Sequence, residues 1–132
     1  MAIQRGNAPI TIYRGDSYRT QYTLTDVDDA TGITTPVDIS SFEINGQVRF
    51  TPDSDQIWFT LPITKTDPTN GVFEWVLTET ESKALLPPGA TTPNTAVYDI
   101  QLRIPDADPN NVRVLTFLRG SFSVQTDVTR IS

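Results

Sequence analysis

The chain has 132 residues, a formal net charge of -6, and neither histidine nor cysteine. A chain of this length forms one domain and buries enough surface to fold without a metal ion or a disulfide. The missing residue types exclude histidine-dependent catalytic sites, disulfides and the common zinc sites. The ten basic residues are scattered, which argues against nucleic-acid binding because a phosphate backbone requires clustered cations. No apolar run approaches the roughly 20 residues that span a bilayer, so we expect no membrane partner.

Alternation of apolar and polar residues dominates the first half of the chain. This period of two is typical of strands with one buried and one wet face. Four stripes occur before residue 80, and their apolar members are Tyr18, Tyr22 and Leu24; Phe42, Ile44, Val48 and Phe50; Ile57, Phe59, Leu61 and Ile63; and Phe73, Trp75 and Leu77.

Two short motifs in this half suggest ligands, although ordinary turns explain both better. Residues 26–32 carry spaced aspartates and a glycine, as calcium loops do, but the bidentate acid that closes such a loop is missing. We therefore expect a solvated hairpin loop. The tripeptide Arg14-Gly15-Asp16 matches a sequence that integrins bind. A tripeptide occurs too often by chance to count, and we expect a turn between strands.

Trp58 has the opposite parity to Ile57, Phe59 and Leu61, so it is a candidate for an outward-facing residue. An exposed tryptophan can stack on a sugar or anchor a protein interface. Cover by the N-terminal segment explains the same position equally well, and the sequence leaves these interpretations open. Trp75, by contrast, shares the parity of its stripe and is expected in the core.

One segment departs from alternation. Residues 78–81 have the Thr-x-x-Glu form of a capping box, and Pro87-Pro88-Gly89 ends any helix that follows. We predict one or two helical turns that connect two strands. Leu85 or Leu86 is expected to plug one end of the core.

The clearest stripe lies late in the chain, where Tyr98, Ile100, Leu102 and Ile104 alternate with polar residues. A turn at residues 105–111 and an extended run over residues 112–125 follow. Gly120 interrupts that run, which predicts a bulge or a bend between two sheets. We predict an all-β fold, a two-sheet antiparallel sandwich. Its expected core includes Tyr22, Leu24, Phe50, Phe59, Trp75, Ile100, Leu102, Phe122 and Val124.

The sixteen carboxylates are the main remaining candidates for catalysis, and many of them sit where turn preference alone puts them. No general base tuned near neutrality is evident. We therefore expect no enzyme activity, no catalytic residues, no cofactor and no metal.

Three stretches together resemble small proteins of tailed bacteriophages. The first is Ile12-Tyr13-Arg14-Gly15-Asp16-Ser17-Tyr18. The second is the capped segment at residues 78–86, followed by Tyr98-Asp99-Ile100-Gln101. The third is Arg119-Gly120-Ser121-Phe122-Ser123-Val124 with the tail Asp127-Val128-Thr129-Arg130. In this order they are similar to virion proteins with an immunoglobulin-like β-sandwich, such as the N-terminal domain of upper baseplate proteins.

The resemblance implies an immunoglobulin-like sandwich over residues 1–132, with residues 1–8 and 127–132 as flexible or docking ends. It implies a structural role as a tail or baseplate adaptor, assembled in the host bacterial cytoplasm and located in the virion. Its partners would be other virion proteins and copies of itself, so that it is oligomeric in the particle. Two alternatives remain, a capsid-decorating or head-associated protein and a carbohydrate-binding module. The candidate interface residues are Arg5, Trp58, Asp127 and Arg130.

Overall fold

The computed structural model describes residues 6–53, 55–85 and 96–125. Strands dominate these residues and one short α-helix interrupts them, so the prediction of an all-β chain with one helical connection is confirmed. The strands are β1 (Gly6–Asn7), β2 (Ile10–Tyr13), β3 (Tyr18–Thr23), β4 (Thr25–Val27), β5 (Thr34–Pro36), β6 (Glu43–Arg49), β7 (Ile57–Leu61), β8 (Ile63–Asp67), β9 (Val72–Leu77), β10 (Val97–Ile104) and β11 (Arg113–Gln125). The helix is α1 (Glu79–Leu85), and short 3-10 turns occupy Pro68–Asn70 and Pro109–Asn111.

The strands form a large sheet, a smaller sheet and a separate hairpin. The large sheet has the order β1-β11-β10-β6-β7, with β2 also paired to β11. The smaller sheet has the order β3-β9-β8, and β4 pairs with β5. Neighbours are antiparallel except that β1 and β2 run parallel to β11. The expectation of antiparallel strands is therefore wrong for β1 and β2, because both pair with β11 and not with a neighbour in sequence.

Both sheets contribute to one hydrophobic core. Phe73 and Trp75 of the smaller sheet and Val48, Ile100 and Leu102 of the large sheet are fully buried. Burial of each such side chain contributes about 1.5–3 kcal/mol. The two sheets also meet through aromatic edges, with the ring centroids of Phe73 and Phe117 lying 5.9 Å apart.

Most of the predicted core is buried. Six of its members are in the core cluster, and Tyr22 and Phe59 pack against it partly buried. The six are Leu24, Trp75, Ile100, Leu102, Phe122 and Val124. Phe50 is a correction, because it lies just after β6 at the margin of the core, half-buried, and stacks on Trp58.

Two β-bulges explain where strict alternation fails. Between β6 and β7, Val48 lies opposite Phe59 and Arg49 lies opposite Ile57, so Trp58 is an extra residue in β7. An extra residue reverses the face of the sheet to which the side chains of the preceding residues in the strand point. Ile57, predicted to be inward, is therefore paired with an outward residue and is 43% exposed.

The second bulge lies in β11. Ile100 pairs with Leu118 and Gln101 pairs with Thr116, which leaves Phe117 as the extra residue. Its ring points inward against Tyr22 and Phe73. The bulge thus lies at Phe117, which packs against the core, three positions before Gly120, where a bulge or a bend was predicted.

Gly120 has a different role, since the backbone of Ala8, between β1 and β2, lies directly against it. The Ala8 amide donates to the Arg119 carbonyl at 3.0 Å, and the Tyr98 hydroxyl donates to the Ala8 carbonyl. A Cβ atom on Gly120 would lie 2.1 Å from that carbonyl oxygen. Residues 6–8 are therefore paired with or hydrogen-bonded to β11.

Helix α1 begins with the predicted capping box. The Glu81 amide donates to Thr78 Oγ1 at 3.2 Å, and the Thr78 amide donates to Glu81 Oε1 at 3.1 Å. Leu85 packs against the core, partly buried, as predicted, whereas Leu86 and the Pro-Pro-Gly stop lie outside the described residues. The helix is therefore fixed at its start by its own side chains and at its end by the core.

Replacing Gly120 with alanine should destabilise the fold. The added Cβ atom collides with backbone, so the N-terminal strand has to shift, and overpacking of this kind costs about 1–3 kcal/mol. The measurement is the free energy of unfolding in urea. Gly6→Ala is the control, because its Cβ atom would meet only the flexible end of the Leu118 side chain. Equal losses in the two variants would contradict the explanation.

Candidate functional site

Of the four candidate interface residues, the structure describes only Trp58, since Arg5, Asp127 and Arg130 lie outside the described residues. Its ring stacks on Phe50 with centroids 5.2 Å apart and meets Phe122 edge-on at 5.7 Å. Its indole Nε1 donates to the Leu85 carbonyl at 3.1 Å. Trp58 is therefore partly buried against the core, which does not match the outward-facing one of the interpretations that the sequence leaves open. The bulge turns the residue inward, and its hydrogen-bond donor is already used.

The aspartate-rich segment at residues 26–32 forms the expected hairpin loop. The Asp28 amide donates to the Ile33 carbonyl at 2.9 Å, and the Gly32 amide donates to the Asp28 carbonyl at 2.7 Å. The Asp28 carboxylate accepts from the Ala30 amide at 2.9 Å. The carboxylate thus serves the turn itself. Within residues 6–53, 55–85 and 96–125, no three acidic side chains lie close enough together to hold a metal ion.

The Arg14-Gly15-Asp16 tripeptide forms the expected turn between β2 and β3. Gly15 has a positive φ of 90°, a conformation that favours glycine, and the Asp16 amide donates to the Tyr13 carbonyl at 3.0 Å. Arg14 is only 4% exposed. A receptor that reads this tripeptide needs the arginine in solvent, so the turn serves the fold.

A concave polar surface occupies the outer face of the large sheet. Strands β6, β10 and β11 turn polar side chains outward there, Asn7 lies at one margin, and Pro52 follows β6 at another. The volume of this open depression is about 780 Å³. We call this surface the outer groove, and its polar side chains are Asn7, Asn45, Gln47, Arg49, Asp99, Gln101, Thr116, Arg119 and Ser121.

Asp99 lies at the centre of the outer groove. On β10 it pairs with Gln47 of β6 on one side and with Arg119 of β11 on the other. Gln101 Nε2 lies 3.5 Å from Asp99 Oδ2, and Arg49 Nη2 donates to Gln47 Oε1 at 3.0 Å. The groove therefore places one carboxylate among amides and two guanidinium groups.

Burial raises the pKa of Asp99 above its ordinary value. The Gln101 side chain, Arg119 and Arg49 act in the opposite direction but do not offset the loss of solvent. The ionised carboxylate is thus held where its surroundings disfavour the charge. Displaced pKa values of this kind are common at functional sites.

The sequence did not lead to the outer groove because its residues occupy the wet positions of each stripe. Alternation predicts that such residues face outward, and it assigns them no further role. Only the register aligns Gln47, Asp99 and Arg119 in one row across three strands. One signal was available, since the outward positions of β6 and β10 carry planar amides and ions, whereas β8 exposes the threonines Thr64 and Thr66.

Comparison with known proteins gives no family for this chain. No protein-family model matches it, and no curated protein sequence matches it. No helix within the described residues is long and apolar enough to cross a membrane.

Asp99→Asn should raise the free energy of unfolding near neutral pH. Because the pKa of Asp99 is higher in the folded than in the unfolded chain, folded protein binds the proton more tightly, and stability falls as the pH rises through that interval. An asparagine at this position does not titrate, so the variant does not lose stability in this way as the pH rises. The stability gained over the wild type should therefore be larger at about pH 7 than at about pH 3.

Thermal unfolding at both pH values measures this difference. Asp55→Asn, on an exposed turn, is the control for the change in net charge. An Asp99→Asn variant that is less stable than the wild type at neutral pH would show that the carboxylate supports the fold.

Proposed function

We propose that the protein is a structural component of a bacteriophage virion, an adaptor of the tail or baseplate with an immunoglobulin-like sandwich fold. Its partners are other virion subunits and copies of itself, and it performs no catalysis. The observation that carries the proposal is spatial. The described parts of the three stretches that resemble phage virion proteins, separated by dozens of residues in the sequence, come together in one part of the fold.

The first and second stretches meet through Ser82. The Gly15 amide donates to Ser82 Oγ at 2.9 Å, and that hydroxyl donates to the Tyr13 carbonyl at 3.4 Å. Ser82 is fully buried. A buried backbone amide without a partner costs about 1–3 kcal/mol. The arginine-glycine turn and the short helix are therefore one structural unit.

The third stretch pairs with both of the others. Ile12 lies opposite Val124 in the parallel pairing of β2 with β11, and Tyr98 lies opposite Gly120 in the pairing of β10 with β11. Motifs that are weak alone thus depend on one another physically. This mutual dependence supports the resemblance as one of fold, and it favours the virion function associated with that fold.

An adaptor also needs surfaces on which neighbours can dock. Within the described residues, β3, β7 and β8 each pair along one edge only. Unpaired backbone groups on a sheet edge can accept a strand from another chain. We propose that docking uses these edges together with the two ends of the chain, which contain Arg5, Asp127 and Arg130.

Mass spectrometry of purified particles, with tail and head fractions kept apart, tests the location. The protein should be found in the tail fraction at a stoichiometry of several copies per particle. Recovery only with heads would replace the tail proposal with the head-associated alternative. Absence from both fractions would remove the virion function altogether.

Truncation tests docking through the ends. One variant lacks residues 1–5 and another lacks residues 128–132, and the first deletion stops before Gly6 because Gly6 and Asn7 pair with β11. Each variant should keep its melting temperature and lose incorporation into particles. Normal incorporation of both folded variants contradicts docking through the ends.

A further inference from the structure

The outer groove offers hydrogen-bond donors and acceptors side by side. The amides of Asn45, Gln47 and Gln101 each supply both, whereas Arg49 and Arg119 only donate. The Asp99 carboxylate only accepts when ionised. Thr116 and Ser121 add hydroxyls that do either. A ligand that satisfies such a surface must itself present donors and acceptors at short spacing.

The lining argues against a protein as the ligand. The centre of a protein interface is depleted of charged residues and is anchored by buried aromatic side chains. The centre of the outer groove instead holds the Asp99 carboxylate, and its described apolar side chains are Val97 and Pro52. The Tyr98 ring belongs to the core, since this residue is only 3% exposed.

The charges argue against simple ions. A phosphate or another anion would lie against the Asp99 carboxylate at the centre of the outer groove. A metal cation would find one carboxylate and two guanidinium groups. A neutral ligand rich in hydroxyl groups avoids both conflicts, because each hydroxyl donates to the carboxylate or accepts from an arginine.

Asp99 itself points to a ligand. Burial disfavours its charge, and asparagine would fill the same space in the free protein without that conflict. Groups that oppose stability in this way are common where a protein binds or reacts. A hydrogen bond to an ionised acceptor is about twice as strong as a neutral one, so the carboxylate improves the binding of hydroxyl groups.

We propose that the outer groove binds a neutral polysaccharide. Neighbouring hydroxyls of one sugar donate to Asp99 and accept from Arg49 or Arg119, and the amides on β6 and β10 contact the adjoining sugars. The groove is open to solvent and crosses three strands, which lie about 5 Å apart from one to the next, so it admits the interior of a chain. The inference does not depend on the virion function.

The test is a nuclear magnetic resonance titration of the isotope-labelled protein with maltohexaose, cellohexaose and chitohexaose, together with an array of immobilised bacterial polysaccharides. At least one saccharide should shift the backbone amides of β6, β10 and β11 around Asp99. Asp99→Asn should weaken that binding about tenfold, because the charged acceptor is lost. Gln101→Ala should weaken it about two- to tenfold.

Gln21→Ala is the matched control, since this exposed glutamine lies on β3 of the smaller sheet. The Gln21→Ala variant should bind the saccharide with the same affinity as the wild type. Absence of binding to all the saccharides overturns the proposal, as do amide shifts confined to another surface. An Asp99→Asn variant that folds, binds saccharide normally and fails to join particles would identify the outer groove as a protein interface and would also overturn it.

Discussion

Strand β11 pairs with β10 along one edge and with β1 and β2 along the other. The first and the last strands of the described residues are therefore hydrogen-bonded to each other in the large sheet. The parallel pairing requires the Ala8 carbonyl to pass over Gly120, where no side chain can be accommodated. Once it is formed, the turn after β2 meets helix α1 through the buried Ser82 hydroxyl. The helix in turn holds Trp58 through the Leu85 carbonyl. A single long-range pairing therefore fixes the helix, the turn and one end of the core.

The bulge in β11 links the core to the outer groove. Strict alternation from an outward Thr116 would turn residue 118 outward and residue 119 inward. The extra residue, Phe117, reverses this, so Leu118 turns inward and Arg119 emerges beside Asp99, while the ring of Phe117 itself reaches Phe73 of the smaller sheet. One inserted residue thus supplies both a contact between the sheets and a guanidinium group in the outer groove. A change that removed the bulge would alter the packing and the groove together.

Much of the fold follows from the sequence because burial imposes a period of two wherever one face is wet. The stripes of β3, β9 and β10 and the capping box at Thr78 are local patterns, and local physics decides them. The bulges at Trp58 and Phe117 are set by partner strands, so the stripe alone could not place them. The outer groove is harder still to predict from the sequence, since it depends on the register of three strands. The sequence alone predicts that Asp99 is a solvated residue, and only the register places Gln47 and Arg119 beside it.

The outer groove and the open edges are physically separate, and this separation bears on how one small domain could serve two purposes. Strand addition uses backbone groups at β3, β7 and β8, whereas the groove lies on the face of β6, β10 and β11. Copies that dock by their edges leave this face in solvent. If each copy in a ring or sleeve presents one weak saccharide site, several sites act on the same polymer, and linked weak contacts give a strong total affinity. A groove whose described residues offer no aromatic stacking platform suits the proposed arrangement, because release from any one site would stay easy while the assembly as a whole remained attached.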